Sequence, residues 1–250
     1  MLGKLLKINP FAKNVLKLGG ATLFSQVIGF LILPVLSRMY APDDFGSLGV
    51  FTAITSFLAV IAGFKYENAI VLSVDEKEAK NLYILSLSST IFLAVISYLF
   101  FLATRSVFLE DLGYNEDSFP LYFISLYVFS FGLSQVNKYY FYYKSQFSTI
   151  SVNQIIGRIS AVVPKIIFGV FKLGGIGLII GELLNLLSQV LFSYNKIKLD
   201  KTTVDKNSLL KTAKKYIKYP KYELPMDFVN TVAQKIPVLL MASYFGVRFV

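Results

Sequence analysis

The sequence predicts an all-α, polytopic membrane protein with about seven transmembrane helices. Three observations carry that prediction. Hydrophobic residues make up 55% of the 250-residue chain and charged residues only 16%, whereas soluble domains run at about 45–50% and about 25%. Uncharged runs of about 20 residues, enough for a helix to cross a hydrocarbon core about 30 Å thick, recur along the chain. Basic residues gather in the segments between those runs, on alternate sides. The composition also excludes several chemistries. With His 0 and Cys 0 there is no thiol nucleophile, disulfide framework or zinc site, and no cofactor is expected. The net charge is +10, but the spans leave little soluble surface for a nucleic-acid footprint. No nucleic-acid partner is expected.

The elements follow in order. Residues 18–37, 45–64, 81–104 and 118–137 carry no charge and are 20, 20, 24 and 20 residues long. Spans over 151–171, 173–195 and 224–247 hold isolated charges. The first run is too long for the apolar region of a signal peptide, and no small-residue cleavage site follows it. A spanning segment must satisfy its backbone internally, so all seven are read as α-helices.

Orientation follows from Lys and Arg in the short loops. With a cytoplasmic N-terminus, 18 basic residues fall inside and four outside. The inside set is Lys4, Lys7, Lys13 and Lys17; Lys65, Lys77 and Lys80; Lys138 and Lys144; and nine lysines between residues 196 and 221. Arg38, Arg105, Lys172 and Arg248 fall outside, as does the acidic loop with Glu110, Asp111, Glu116 and Asp117. Tyr139 to Tyr143 suits an aromatic belt at the inner interface. Three segments result: a six-helix lobe over 1–197, a basic cytoplasmic linker over 198–223, and the first helix of a second lobe over 224–250. The linker lysines suit anionic inner-leaflet lipid, and residues 209–219 suit an amphipathic helix lying on the membrane. A Pro-Val-Leu echo, Pro34-Val35-Leu36 against Pro237-Val238-Leu239, fits the internal repeats of transporters.

Charges inside spans are costly, about 2.5–3.5 kcal/mol each on insertion scales, and mark functional cavities by default. Arg158, Lys165, Glu182, Asp227 and Lys235 qualify and sum to +1. At about 100° per residue, Gln154, Arg158 and Lys165 share one face of the fifth span. Glu182, Asn185 and Gln189 share one on the sixth. Asp227, Asn230 and Gln234 share one on the seventh, with Lys235 at its edge. Thr22, Ser25, Gln26 and Gly29 cluster on the first, and Thr52, Thr55 and Ser56 on the second. Five polar faces predict a central wet cavity, cationic enough for an anionic substrate. The competing reading is that such residues only hold helices together. Glu182 can pair with Arg158 or Lys165. Lys65 and Glu67 can form one more charge pair at the cytoplasmic mouth.

These stretches resemble a known family. The residues that carry it are Leu18-Gly19-Gly20, Ser25-Gln26, Pro34, the turn Arg38-Met39-Tyr40-Ala41-Pro42-Asp43-Asp44-Phe45-Gly46, and Lys65-Tyr66-Glu67-Asn68-Ala69-Ile70. They are similar to the bacterial polysaccharide flippases, the O-antigen and capsule repeat-unit translocases of the multidrug/oligosaccharidyl-lipid/polysaccharide exporter superfamily. Tyr219-Pro220, Leu224-Pro225 and Pro237-Val238-Leu239-Leu240 resemble the start of that family's second lobe. Members have 12 or 14 helices in two lobes, so this chain resembles an N-terminal fragment.

The resemblance implies a non-enzymatic transporter in the bacterial inner membrane that moves undecaprenyl-pyrophosphate-linked oligosaccharide from the inner to the outer leaflet. Its implied partners are that substrate, membrane lipids, and polysaccharide polymerase and chain-length proteins. Arg158, Lys165, Gln154, Lys235, Gln26, Asn185, Asn230 and Gln234 are the expected substrate contacts. Glu182, Asp227, Lys65 and Glu67 are the expected ion-coupling or charge-pair residues. A multidrug antiporter of the same superfamily would carry a more acidic cavity, and a glycan polymerase or ligase a larger outer loop. A lipid II flippase is close in mechanism and is separated only by the turn at Tyr40 to Gly46.

Overall fold

The computed structural model describes residues 10–111, 121–197 and 205–246. The leader lysines Lys4 and Lys7, the acidic residues Glu116 and Asp117, Lys198, Lys201 and Arg248 lie outside the described residues. The described chain is helical and carries no strand. Its helices are α1 (Pro10–Met39), α2 (Pro42–Ile61), α3 (Tyr66–Ala69), α4 (Glu76–Asp111), α5 (Leu121–Tyr143), α6 (Phe147–Val170), α7 (Gly175–Tyr194), α8 (Lys206–Lys215) and α9 (Leu224–Phe245). A 3₁₀ turn follows α3 and a π turn, Tyr219–Glu223, precedes α9.

Five described helices, α1, α2, α4, α6 and α7, are long and apolar enough to cross a membrane. The chain is therefore an all-α, polytopic membrane protein. The other two expected spans, α5 and α9, are 23 and 22 residues long, which is about 33 Å of helix. They are more polar, because Ser125, Ser130, Ser134, Gln135 and Asn137 interrupt α5 and Asp227, Asn230, Gln234 and Lys235 interrupt α9.

The bundle is built around α6 and α7. Helix α6 lies between α1 and α7, α7 also touches α5 and α2, α5 pairs with α4, and α9 lies along α2. Val50, Phe51 and Ile54 of α2 meet Ile124 and Val128 of α5 and Ile179 and Leu183 of α7 in the main apolar core. In lipid the hydrophobic effect does not drive this association; close packing and small residues do. Helix α1 touches the bundle along one side only, and Phe30 on its outer face is 74% exposed, as suits a lipid-facing helix.

Polar contacts tie each end of the bundle together. At one end Lys144 pairs with Glu76 at 2.6 Å, Lys17 donates to Ser148 at 2.7 Å, and Lys215 pairs with Glu78. At the other end the Tyr40 to Gly46 turn joins α1 to α2. The Tyr40 hydroxyl donates to the Lys165 carbonyl at 2.6 Å, and Asp44 accepts the Ala41 amide at 2.8 Å, capping α2. Asp44 also abuts Gly174 of the α6–α7 turn, where φ is +61°. Most basic loop residues thus gather at the first end, while Arg38 and Lys172 sit at the second.

The described part of the basic segment differs from the expected membrane-surface helix over 209–219. Helix α8 ends at Lys215 and docks on α4. Asp205 caps its start through the amides of Asn207 and Ser208. Asn81 donates to Ser208 at 2.8 Å and to Thr212 at 3.1 Å, and Ala213, Tyr216 and Tyr219 pack on Tyr66, Ala79 and Tyr83. Side-chain hydrogen bonds from α4 hold it to the protein.

Candidate functional site

The expected polar stripes do not converge on one central cavity. They fall in three places. The first is the α1–α6 face. Gln154 lies 3.4 Å from Thr22, and the Arg158 guanidinium rests on Gly29, where a Cβ would stand 3.1 Å from it. Gln26 is exposed one turn away on α1. Arg158 makes no ion pair among the described residues.

The second place is the seam between α6 and α7. Lys165 pairs with Glu182, its stem lying over Gly181, where any side chain would collide with it. Lys165 is buried, so a carboxylate partner offsets the cost of holding its charge. Farther along, the Gln189 amide donates to Asn185 at 2.7 Å, both above Gly157. Asn153 donates to Ser193 at 3.2 Å. Most of this seam is bonded within itself, as helix-holding polar residues are, but the buried Asn153 Oδ1 has no hydrogen-bond partner. The hydroxyls of Thr52, Thr55 and Ser56 likewise bond back into their own helix.

The third place is a cavity of about 370 Å³ between α2, α3, α5 and α9. The turn joining α2 to α3 borders it through Gly63 and Lys65, and there Phe64 and Lys65 hold φ of 49° and 62°. Left-handed backbone at two successive non-glycine residues is strained and persists only where the surroundings hold it. Here it aims Lys65 at Asp227 of α9, 2.8 Å away. The neighbouring Asn68 donates to Glu223 of the π turn. Gln234 and Lys235 line the cavity from α9, and Gln234 donates to the exposed Asn230 at 3.2 Å.

Glu67 lines the same cavity and is buried, with Oε2 lacking a hydrogen-bond partner. Its carboxyl is packed onto Gly63, a position no larger residue can fill without displacing it. Burial first, then the charges of Glu223 and Asp227, push its pKa above the ordinary value of 4.5, against the opposing pull of Lys65.

The sequence reading missed Tyr127, Phe131 and Gln135 and gave Tyr139 to an aromatic belt; all four lie along α5 and line this cavity. Tyr127 and Phe131 lie nearly parallel, 6.3 Å apart. Their spacing of four was the available signal. It was hidden because Tyr and Phe in a hydrophobic run read as lipid-facing or core residues.

No curated protein and no solved structure matches the chain. The sequence pattern described as polysaccharide biosynthesis protein matches residues 35–250, a stretch holding the Tyr40 joint, the Lys65 turn, the α6–α7 seam and α9. The chain belongs to the polysaccharide biosynthesis protein family.

Proposed function

We propose that this protein translocates lipid-linked oligosaccharide, carried on undecaprenyl pyrophosphate, across the bacterial inner membrane for surface polysaccharide assembly. It acts as a transporter and not as an enzyme. Membership of a polysaccharide biosynthesis family supports the glycan, and the membrane-spanning bundle supports the transport. One observation carries the headgroup assignment. Lys165 is neutralised by Glu182 and Asp227 by Lys65, which leaves Arg158 and Lys235 as the intramembrane cations with no carboxylate partner among the described residues. The two stand at separate places, Arg158 on the α1–α6 face and Lys235 at the cavity between α2, α5 and α9. Each is a contact for the anionic pyrophosphate along its path, Arg158 as a planar fork and Lys235 as a point charge.

The crowding of basic residues at the α8 end supports a cytoplasmic orientation for that end by the charge rule. In that orientation the Lys65 side of the cavity lies nearer the leaflet where the substrate is made. The test is export in cells that depend on this protein for surface polysaccharide. Arg158→Ala should abolish export with protein still in the membrane, and Arg158→Lys should lose part of it. Normal export by Arg158→Ala would return Arg158 to helix packing and remove the headgroup assignment.

A further inference from the structure

We propose that the cavity between α2, α5 and α9 is a saccharide-binding site, with Tyr127, Phe131 and Tyr139 stacking on pyranose faces and Gln135 and Gln234 bonding sugar hydroxyls. The proposal rests on the lipid-linked glycan reading and says where the glycan sits.

Four features point to a sugar. The three aromatics and Gln135 recur every fourth residue, so they form one slowly turning strip along α5 and all border the same space. Aromatic rings present a negative face. The axial C–H groups of a pyranose carry slight positive charge and lie flat on such a face. The cavity, at about 370 Å³, is within the range of small-ligand pockets, roughly 300–1,000 Å³. Finally, beside the charged Lys65, Glu67 and Lys235 the lining carries the neutral amides of Asn68, Gln135 and Gln234, which both donate and accept, as hydroxyls do. A groove for an alkyl chain would show Leu and Ile in their place.

Lys235 borders the same cavity beside Gln234. In a lipid-linked glycan the first sugar is bonded directly to the pyrophosphate. A cation adjacent to a stacking strip therefore matches the order of groups in the substrate: phosphate at Lys235, sugar on Phe131 and Tyr139. The α6–α7 seam is the poorer candidate, because Gln189 is already bonded to Asn185 and Lys165 to Glu182.

The test compares two probes, undecaprenyl pyrophosphate and undecaprenyl pyrophosphate bearing one N-acetylglucosamine, bound to the protein in nanodiscs. The sugar-bearing lipid should bind about tenfold tighter, the gain expected of one or two stacking contacts. Phe131→Leu and Tyr139→Leu should reduce that advantage to about twofold or less, while Phe131→Tyr, which keeps the ring, should retain it. Lys235→Ala should weaken both lipids and leave their ratio intact. Equal affinity of the wild-type protein for both lipids would overturn the sugar site while leaving the headgroup assignment standing. So would a full sugar advantage in the two leucine variants. Binding of neither lipid would remove the lipid-linked reading and the sugar site together.

Discussion

At the residue scale, Glu67 is the group whose chemistry departs most from its sequence appearance. In the sequence it looks like half of a Lys65–Glu67 pair. In the structure Lys65 turns to Asp227 and leaves Glu67 buried without a partner for Oε2. The consequence is a stability that depends on pH. Below the ordinary carboxylate value of 4.5, folded and unfolded chains both hold the proton and Glu67 contributes no slope. Between that value and the raised folded value, the folded chain alone keeps it, so stability falls as pH rises. Above the raised value the loss is complete. Glu67→Gln should abolish this slope and raise the thermal midpoint at neutral pH, while matching the parent protein at low pH. Parallel melting profiles for the two across the pH range would contradict the burial argument. The opposite reading holds for Arg158, whose phosphate contact should be lost in Arg158→Ala. A charge-assisted hydrogen bond is worth about 1.5–3 kcal/mol, so headgroup affinity should fall roughly ten- to a hundredfold.

At the element scale, the buried pair between α6 and α7 makes a sharp prediction. Removing one partner of a buried ion pair costs about 3–5 kcal/mol, whereas replacing both by apolar residues is often neutral. Lys165→Met and Glu182→Leu should each lower the thermal midpoint, and the double variant should recover most of the loss. Additive losses would show that the two side chains do not depend on one another. This pair was half legible in the sequence: opposite charges in adjacent hydrophobic spans have few other partners, but Arg158 and Lys165 were equal candidates for Glu182 until the packing selected Lys165. The spans themselves were legible for the same reason: uncharged runs of bilayer length have few competing explanations. The joining of α8 to α4 was not legible. Residues 209–219 read as an amphipathic helix lying on the membrane, and only tertiary contact shows Asn81 bonding the hydroxyls of Ser208 and Thr212. Nor was the division of the polar stripes. Helical periodicity places Arg158 and Lys165 on one face, but it does not say that α1 meets that face near Gly29 and α7 near Gly181.

At the scale of the whole molecule, two features remain to be accounted for: where the basic end faces, and what covers the outer polar side chains. The absence of Cys makes the first measurable. A cysteine placed at Ser73, at the α8 end, should react with an impermeant thiol reagent only from the cytoplasmic side, and one at Lys172 only from outside. Reaction of both from the same side would overturn the orientation. Gln26 on α1 and Asn230 on α9 are exposed, and unsatisfied polar groups in hydrocarbon cost several kcal/mol each. Those side chains should therefore be covered by a second copy, and the protein in nanodiscs should pair. A monodisperse, stable monomer would show that these side chains need no cover.

The central claim is that the protein carries an anionic glycolipid headgroup across the bilayer on Arg158 and Lys235. Its most direct test is transfer in proteoliposomes holding undecaprenyl pyrophosphate linked to a fluorescent oligosaccharide. The parent protein should bring the glycan to the opposite face faster than protein-free liposomes do, and the Arg158→Ala, Lys235→Ala double variant should fall to the protein-free rate. Equal transfer by the parent and the double variant, or parent transfer no faster than in bare liposomes, would contradict the account.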